Sequence, residues 1–292
     1  MMITWKSSGG STVSFSKDDI TYKLLKSYEG FGTPEVSFKT VSAPYQDGET
    51  LLDTRFGVRK FSINLMVVGP TLTDIQTAVN TLIRMFNPGS GAGTLEFDYE
   101  DGTAYFITCS GRVIPDPTKR SNKHQLVKID LTAHIPFFYT TAQATSIGTA
   151  GTIMFNTDLT TNLKFPYTLP SNTASVIAVN YGDVPSGATI VINGDVTNPK
   201  IANTYGTTTE YFEFTIDMDV GDKMTVTTGF GNKTVSYYDV SAGTTVNGFQ
   251  YLNADSTFFQ IMPGNNQLAF TSSAVNTATK VTVTWSDNYS GV

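Results

Sequence analysis

The sequence predicts a mainly β protein in which a first domain carries one packed helix and a second domain is an antiparallel sandwich. Two domains are expected because the chain has 292 residues, and domains average roughly 150 residues. Within the first half, residues 60–88 change from a strand pattern to a helix pattern. From residue 152 onward, short strand-like runs alternate with turn signals. We place the domains at residues 1–140 and 141–292.

The strand that opens residues 60–88 is predicted by strict alternation. Phe61, Ile63, Leu65 and Val67 fall on one face, with polar residues and Met66 between them. A period of two is typical of a strand that has one face in a core. The first domain should therefore contain a central, half-buried strand here.

The helix follows Gly69-Pro70, where the apolar spacing changes to three, four and seven residues. This spacing is the apolar stripe of an amphipathic helix. Thr73 and Gln76 fit a capping box at its start, and Asn87-Pro88-Gly89 is a stop signal. The predicted helix core consists of Leu72, Ile75, Val79, Leu82, Ile83 and Phe86.

The rest of the first half reads as strands and turns, which with the helix predicts a β-sandwich or barrel-like domain. Residues 42–59 are polar and contain Asp47-Gly48, the usual centre of a tight turn. They indicate either an exposed, protruding hairpin or an ordinary surface loop. The turn 100–102 predicts a second hairpin, and residues 126–138 read as one long strand.

The second half contains strand-like runs of five to eight residues, separated by Gly-Asp, Asn-Gly and Gly-Asn turn signals. Regular short strands without a helical stretch are typical of a jelly-roll or galectin-like antiparallel sandwich. The predicted strands are TIMFN, LKFPYTL, ASVIAVN, ATIVING, TEYFEFTI, DKMTVTT, KTVSYY, STFFQIM, NQLAFT and TKVTVTW. Residues 140–151 are expected to be the joint between the two domains.

Composition excludes several function classes. The first 149 residues hold 14 basic and 14 acidic residues, whereas residues 150–292 hold 5 and 11. A phosphate-binding surface needs clustered Lys and Arg, so sequence-specific nucleic-acid binding is not expected. No apolar run approaches the ~20 residues of a membrane span, and the start of the chain lacks a signal-peptide pattern. Cys109 is the single cysteine and is expected to be an inert, partly buried thiol.

A search for catalytic or metal-binding patterns gives only weak matches. His124 and His134 have no ligand at metal spacing. The acidic pairs, Glu96/Asp98, Glu100/Asp101, Asp217/Asp219 and Glu210/Glu213, suit turns and wet strand faces better than the two carboxylates of a glycosidase. Residues 217–222 lack the 12-residue spacing of a calcium loop. The glycine-rich residues 89–93 follow a helix, whereas a phosphate loop precedes one. We therefore expect no enzyme, cofactor or metal.

Aromatic residues are frequent in the second half, and exposed aromatic rings could stack on sugar rings. In a sandwich, alternate aromatics are more often core residues. The residues in question are Tyr205, Tyr211, Phe212, Phe214, Tyr237, Tyr238, Tyr251, Phe258, Phe259 and Trp285. A carbohydrate-binding or glycan-degrading protein acting through the second domain is thus the alternative function, with no sugar-contacting residues assigned.

The order of these segments resembles the distal tail proteins of long, non-contractile-tailed phages that infect Gram-positive bacteria. The resemblance rests first on FSINLMVVGPTLTDIQTAVNTLIRMFNPG followed by TLEFDYEDGTAYFI. It continues through NYGDVPSGATIVINGDVTNPKIAN, VGDKMTVTTGFGNKTV and STFFQIMPGNNQLAF to VTVTWSDNYSGV, the last similar to a "W-x-x-x-Y-x-G-V" segment of the family. Ala188 departs from the family, which often has Pro there, and this bears only on a turn.

The resemblance implies a homo-hexamer at the tail tip or baseplate of a virion, assembled in the host cytoplasm. The first domains would form a ring that continues the tail tube and meets the tail tube and tail-associated proteins. The second domains would project outward and hold receptor-binding or fibre proteins, or weakly contact cell-wall carbohydrate. The family has no catalytic residues to carry over. Within residues 42–59, the ring-contact residues are predicted to be Tyr45, Arg55 and Arg59.

Overall fold

The computed structural model describes residues 1–140, 152–156, 173–275 and 280–292. Two compact units are present, one formed by Met1–Tyr139 with Tyr289–Val292 and the other by Thr140–Asn288. The sequence assigned residues 289–292 to the second domain, whereas their contacts place them in the first unit. The predicted strand LKFPYTL and nearly all of the joint at 140–151 lie outside the described residues.

Ten strands, one α-helix and one 3₁₀ turn precede residue 140, and a short strand near residue 289 pairs with the last of these strands. Their bounds are β1 (Met2–Lys6), β2 (Thr12–Ser16), β3 (Tyr22–Glu29), β4 (Val36–Val41), β5 (Thr50–Phe56), β6 (Arg59–Val68), α1 (Leu72–Met85), the 3₁₀ turn Pro88–Ser90, β7 (Gly93–Asp98), β8 (Ala104–Arg120), β9 (His124–Ala133), β10 (Phe138–Tyr139) and, later in the chain, β24 (Asn288–Tyr289).

The first unit is barrel-like, as predicted. Its nine-stranded sheet has the order β24-β10-β8-β7-β1-β2-β3-β6-β9, and the pairing of β8 with β9 closes the sheet on itself. The predicted hairpin across residues 100–102 is formed by β7 and β8. The predicted strand 126–138 is shorter than expected: β9 ends at Ala133, just before Pro136, whose missing N–H cannot continue a ladder. Strands β4 and β5 form a separate two-stranded sheet.

The N-cap of helix α1 lies two residues earlier than predicted. Thr71 is the N-cap residue and forms a capping box with Asp74, so the prediction of Thr73 and Gln76 was wrong. Asp74 reaches back to the Thr71 N–H because an acidic side chain at the third helical position satisfies a free donor and complements the helix dipole. The helix ends at Met85, and Asn87 then caps the 3₁₀ turn at Pro88–Ser90.

The helix buries a narrower stripe than the sequence predicted. Ile75, Val79, Leu82 and Phe86 are buried. Leu72 and Ile83 are each 43% exposed, so their assignment to the helix core was wrong. Leu72 lies in the first turn, and Ile83 follows Leu82 by about 100° around the helix, which turns it toward the edge of the stripe.

The second unit is the predicted antiparallel sandwich. A six-stranded sheet, β11-β23-β13-β18-β19-β20, and a four-stranded sheet, β12-β21-β15-β16, enclose one core, and a three-stranded sheet, β17-β14-β22, lies beside them. The strands are β11 (Thr152–Asn156), β12 (Thr173–Asn180), β13 (Ala188–Asn193), β14 (Val196–Thr197), β15 (Lys200–Tyr205), β16 (Thr208–Glu213), β17 (Asp217–Met218), β18 (Lys223–Gly229), β19 (Asn232–Asp239), β20 (Thr244–Asn247), β21 (Gly264–Thr271), β22 (Ala274–Val275) and β23 (Lys280–Trp285), with a 3₁₀ turn at Gly248–Tyr251.

One predicted strand of the second unit does not form. The run STFFQIM contributes only an isolated bridge between Ile261 and Ser186. Its end is held instead by a side chain, because Asn266 Oδ1 accepts a hydrogen bond from the Met262 N–H at 2.9 Å. Phe259 of this run is buried in the core. The apolar pattern of this run therefore correctly indicated burial, although the run does not pair as a strand.

Candidate functional site

The hairpin formed by β4 and β5 is amphipathic. Its register pairs Val36 with Phe56, Phe38 with Thr54 and Thr40 with Leu51. Val36, Phe38 and Thr40 alternate along β4 and therefore point to one face. Directly paired residues share a face, so Leu51 and Phe56 lie on the same face as Phe38. All three are exposed, Phe38 to 64%.

The opposite face of this hairpin is charged. The register pairs Lys39 with Asp53 and Ser37 with Arg55. Arg55 Nε donates a hydrogen bond of 2.8 Å to Asp53 Oδ2. This bond, with help from the Thr54 N–H, holds the pKa of Asp53 below its ordinary value. The pair is strongly solvated, so it orients side chains more than it stabilises the fold.

The hairpin ends in a strained, exposed aromatic residue. Tyr45 has φ 67°, a left-handed conformation that costs a residue with a Cβ about 1–2 kcal/mol. Its side chain is fully exposed, so the isolated chain gains no packing in return. Strained backbone conformations of this kind cluster at functional sites.

These features make the hairpin a candidate interaction surface. A two-stranded hairpin is marginally stable in water because it has no core of its own. This one is fastened at its base by the Gly57 N–H bond to the Glu35 carbonyl at 2.7 Å and by an edge-to-face contact between Phe56 and Phe137. Beyond that base it presents apolar side chains to solvent, a pattern that marks protein contact sites.

Arg59 does not belong to this surface. It was predicted as a ring contact, but it is only 1% exposed and is the first residue of β6. The sequence could not reveal this because an arginine after Gly57 in a polar segment has the pattern of a surface residue. Tyr45 and Arg55 are exposed, as an interface requires.

The residues considered for catalysis or metal binding are separated or already bonded. His124 Nδ1 lies 2.9 Å from Ser121 Oγ on the surface, and His134 is exposed on another segment. Glu96 and Asp98 are half-buried on the outer face of β7. The pKa of Glu96 is raised, mainly by burial and to a lesser extent by repulsion from Asp98.

Asp222, which lies in the segment compared with a calcium loop, is a structural carboxylate. It is nearly buried, and its oxygens accept hydrogen bonds from the Tyr237 hydroxyl at 2.5 Å and from the N–H groups of Asp219 and Val240. Burial raises the pKa of Asp222, but these hydrogen bonds together outweigh it and leave the pKa below its ordinary value. Asp222 therefore joins the 217–222 turn to β19.

The aromatic residues weighed for sugar binding divide between core and surface. Phe212, Phe214, Tyr237, Phe259 and Trp285 are buried. Of the others, Tyr211 is covered by the ammonium of Lys200, 3.8 Å from the ring centroid. Lys200 in turn pairs with Glu213 at 3.3 Å. Five of the ten rings are thus buried, and a sixth is already covered by a lysine.

A cleft of about 570 Å³ lies on the first unit beside β6, β8 and β9. Among its lining residues, Asp130 pairs with Arg112 at 3.3 Å and with Lys128 at 3.1 Å. The lining contains neither histidine nor cysteine. It is a solvated, mixed-charge face of the barrel.

Two models of known protein families match the chain, one in each half. Residues 15–132 match the family described as phage tail protein RIFT-related domain. Residues 181–289 match the siphovirus-type tail component, C-terminal domain. The chain belongs to the siphovirus distal tail protein family. It is therefore a structural protein of the virion, located at the tail tip or baseplate.

Solved structures share the fold over the full length of the chain. The Dit protein of phage SPP1, described as a paradigm of the hub adsorption apparatus of phages that infect Gram-positive bacteria, matches with a TM-score of 0.67, 13% identity and 99% coverage of both chains. The phage P2 baseplate in its activated conformation matches with a TM-score of 0.54 and 10% identity, covering 100% of this chain and 99% of the other. No curated protein sequence matches the chain.

No helix in the described parts of the chain is long and apolar enough to cross a membrane. The family assignment places the protein among structural components of the tail, which is consistent with a role other than catalysis. As a tail-hub protein, the chain assembles with other proteins of the tail.

Proposed function

We propose that six copies of this distal tail protein form a ring that continues the tail tube, with the β4–β5 hairpin as a contact between neighbouring copies. The observation that carries the proposal is the exposed apolar face of Phe38, Leu51 and Phe56 on a hairpin that lacks its own core. A ring needs two different surfaces in head-to-tail contact. The hairpin supplies one of them, and Tyr45 and Arg55 lie at its tip and on its charged face.

The ring would join the tail tube protein on one side and a tail-associated protein on the other. The second unit would project outward to hold receptor-binding or fibre proteins. The support for this arrangement is the likeness to SPP1 Dit, described as part of a hub adsorption apparatus, and to the phage P2 baseplate. Catalysis and cofactors have no part in it.

Size-exclusion chromatography with light scattering on the full chain tests the proposal. We expect a species with six times the chain mass of 31.7 kDa. Phe38→Asp should shift this species toward the monomer because a carboxylate would enter an apolar contact. Ile20→Asp is the matched control, since it introduces the same charge at an exposed apolar residue of the first unit that lies outside the hairpin. A chain that stays monomeric at high concentration and does not join tail particles would rule the proposal out.

A further inference from the structure

The segment Tyr289–Val292 follows the whole second unit in the chain, yet it is part of the first unit. The family-like motif "W-x-x-x-Y-x-G-V" ends in these residues. Neither the ring contact nor the sandwich core explains why the motif has a tyrosine, a glycine and a valine at these positions. The contacts within the first unit do.

A buried arginine binds the backbone of this segment. Arg59 Nη2 donates to the Ser290 carbonyl at 2.5 Å. The same guanidinium donates to the carbonyl of Pro136 at 2.6 Å through Nε and to those of Gly30 and Gly32 through Nη1. Among the described residues no carboxylate pairs with it. Arg59 therefore gathers backbone from three separate parts of the chain around one cation, which also lies 4.5 Å from the centroid of Phe138.

The remaining residues of the segment each make a distinct contact. The ring of Tyr289 meets that of Tyr105 edge to face, with centroids 5.3 Å apart. A Cβ at Gly291 would lie 3.2 Å from the carbonyl carbon of Gly32, so a larger residue would force the two backbones apart. The Val292 N–H donates to the Phe31 carbonyl at 3.3 Å, and its side chain packs against the core.

We propose that Tyr289–Val292 completes the first unit, so that this unit reaches its full stability only after the second unit has been synthesised. A buried guanidinium that lost the Ser290 carbonyl would keep an unsatisfied donor, which is costly in a buried site. Chains interrupted anywhere within the second unit would therefore carry an incomplete first unit. The consequence, which rests on the proposed ring, is that such chains are excluded from ring assembly.

Cys109 provides a direct measure of first-unit opening in the full chain. It is the single cysteine and is buried in the first-unit core. Burial raises the pKa of its thiol to about 12, so a thiol reagent reacts only when the unit opens. Under conditions where opening is faster than reaction, the labelling rate follows the open population.

We expect Gly291→Val to speed Cys109 labelling by about 10-fold or more, because the added side chain crowds the backbone of Phe31 and Gly32. Tyr289→Ala, a milder change that keeps the backbone, should speed it by about 2-fold to 10-fold through the lost aromatic contact. The matched control is Gly9→Val, whose Cβ would meet only Ser7 Oγ at 4.0 Å, and it should stay within about 2-fold.

Labelling rates of both segment variants equal to that of Gly9→Val would overturn the inference. Light scattering on the same samples then tests the assembly consequence, with a smaller ring fraction expected for Gly291→Val. If the unmodified chain forms no ring, the proposed function fails while the labelling result still decides the role of the segment. If rings form equally well with Gly291→Val despite faster labelling, the assembly consequence is refuted.

Discussion

The indole ring of Trp5 stacks on the phenyl ring of Phe86, with centroids 4.4 Å apart and an interplanar angle of 19°. The indole Nε1 also donates a hydrogen bond of 3.1 Å to the carbonyl of Met85, the last residue of the helix. Strand β1 thereby holds the end of α1 against the barrel. Gly93 permits this, because a Cβ there would lie 2.5 Å from the indole.

The packing of α1 can be tested at two adjacent positions. Leu82→Asp should unfold the first unit, because an unpaired buried charge costs several kcal/mol, comparable with the stability of a domain. Ile83→Asp is the matched control, since Ile83 is exposed and should cost less than about 1 kcal/mol. Urea unfolding monitored by Cys109 labelling measures the stability of the first unit in both variants. Equal effects of the two variants would show that the helix is not packed as described.

The helix cap gives a second pair of variants. Thr71→Ala removes the side chain that accepts from the Asp74 N–H at 3.2 Å, and should cost about 1 kcal/mol. Thr73→Ala, at the position the sequence favoured, should change the free energy of unfolding by less than about 0.5 kcal/mol. Denaturant titration of the full chain compares them. A larger loss for Thr73→Ala would place the cap where the sequence predicted it.

The Tyr237–Asp222 hydrogen bond predicts a pH dependence for the second unit. Because the folded-state pKa of Asp222 lies below the ordinary value of 3.8, its stabilisation is present above that pH and is lost as the pH falls toward the folded-state pKa. Burial, then the bond to Asp222, raises the pKa of Tyr237 above 10.0, so its contribution is lost as the pH rises beyond 10.

Asp222→Asn should destabilise the second unit by about 2 kcal/mol at neutral pH and should weaken the loss of stability on acidification. Calorimetric melting at pH 3 and pH 6 measures both effects. Tyr237→Phe supplies the second arm of a double-mutant cycle, with a coupling of about 1–2 kcal/mol expected. A coupling near zero, or an unchanged acid dependence in the Asn variant, would contradict this assignment.

A variant of Tyr45 distinguishes an effect on folding stability from an effect on ring assembly. Tyr45→Gly should keep or slightly raise the stability of the monomer, by up to about 1 kcal/mol, because glycine adopts φ 67° without a Cβ penalty. The same change should reduce ring formation if the exposed ring of Tyr45 contacts a neighbour. Light scattering and thermal melting on one sample test both statements. Undiminished assembly would remove Tyr45 from the proposed interface.

Much of the architecture could be predicted from local patterns. The alternation around Ile63 and the stripe around Val79 correctly indicated a strand followed by a helix, because periodicity reflects which face is buried. The Asp47-Gly48 signal correctly marked a turn between two paired strands, which span Val36–Val41 and Thr50–Phe56. Amphipathicity of that hairpin was hidden by a bulge between Lys39 and Thr40, which shifts the register.

By itself, the sequence determined the fold class, the strand-to-helix change and the family-like order of segments, since each is recorded in residues close together in the chain. Only the tertiary structure decided the roles of Arg59 and of Tyr289–Val292. Their contact joins residues 231 positions apart, and no local periodicity can encode it. The guanidinium is satisfied by backbone carbonyls, which every residue carries, so the sequence contained no complementary side chain that could have revealed the pairing.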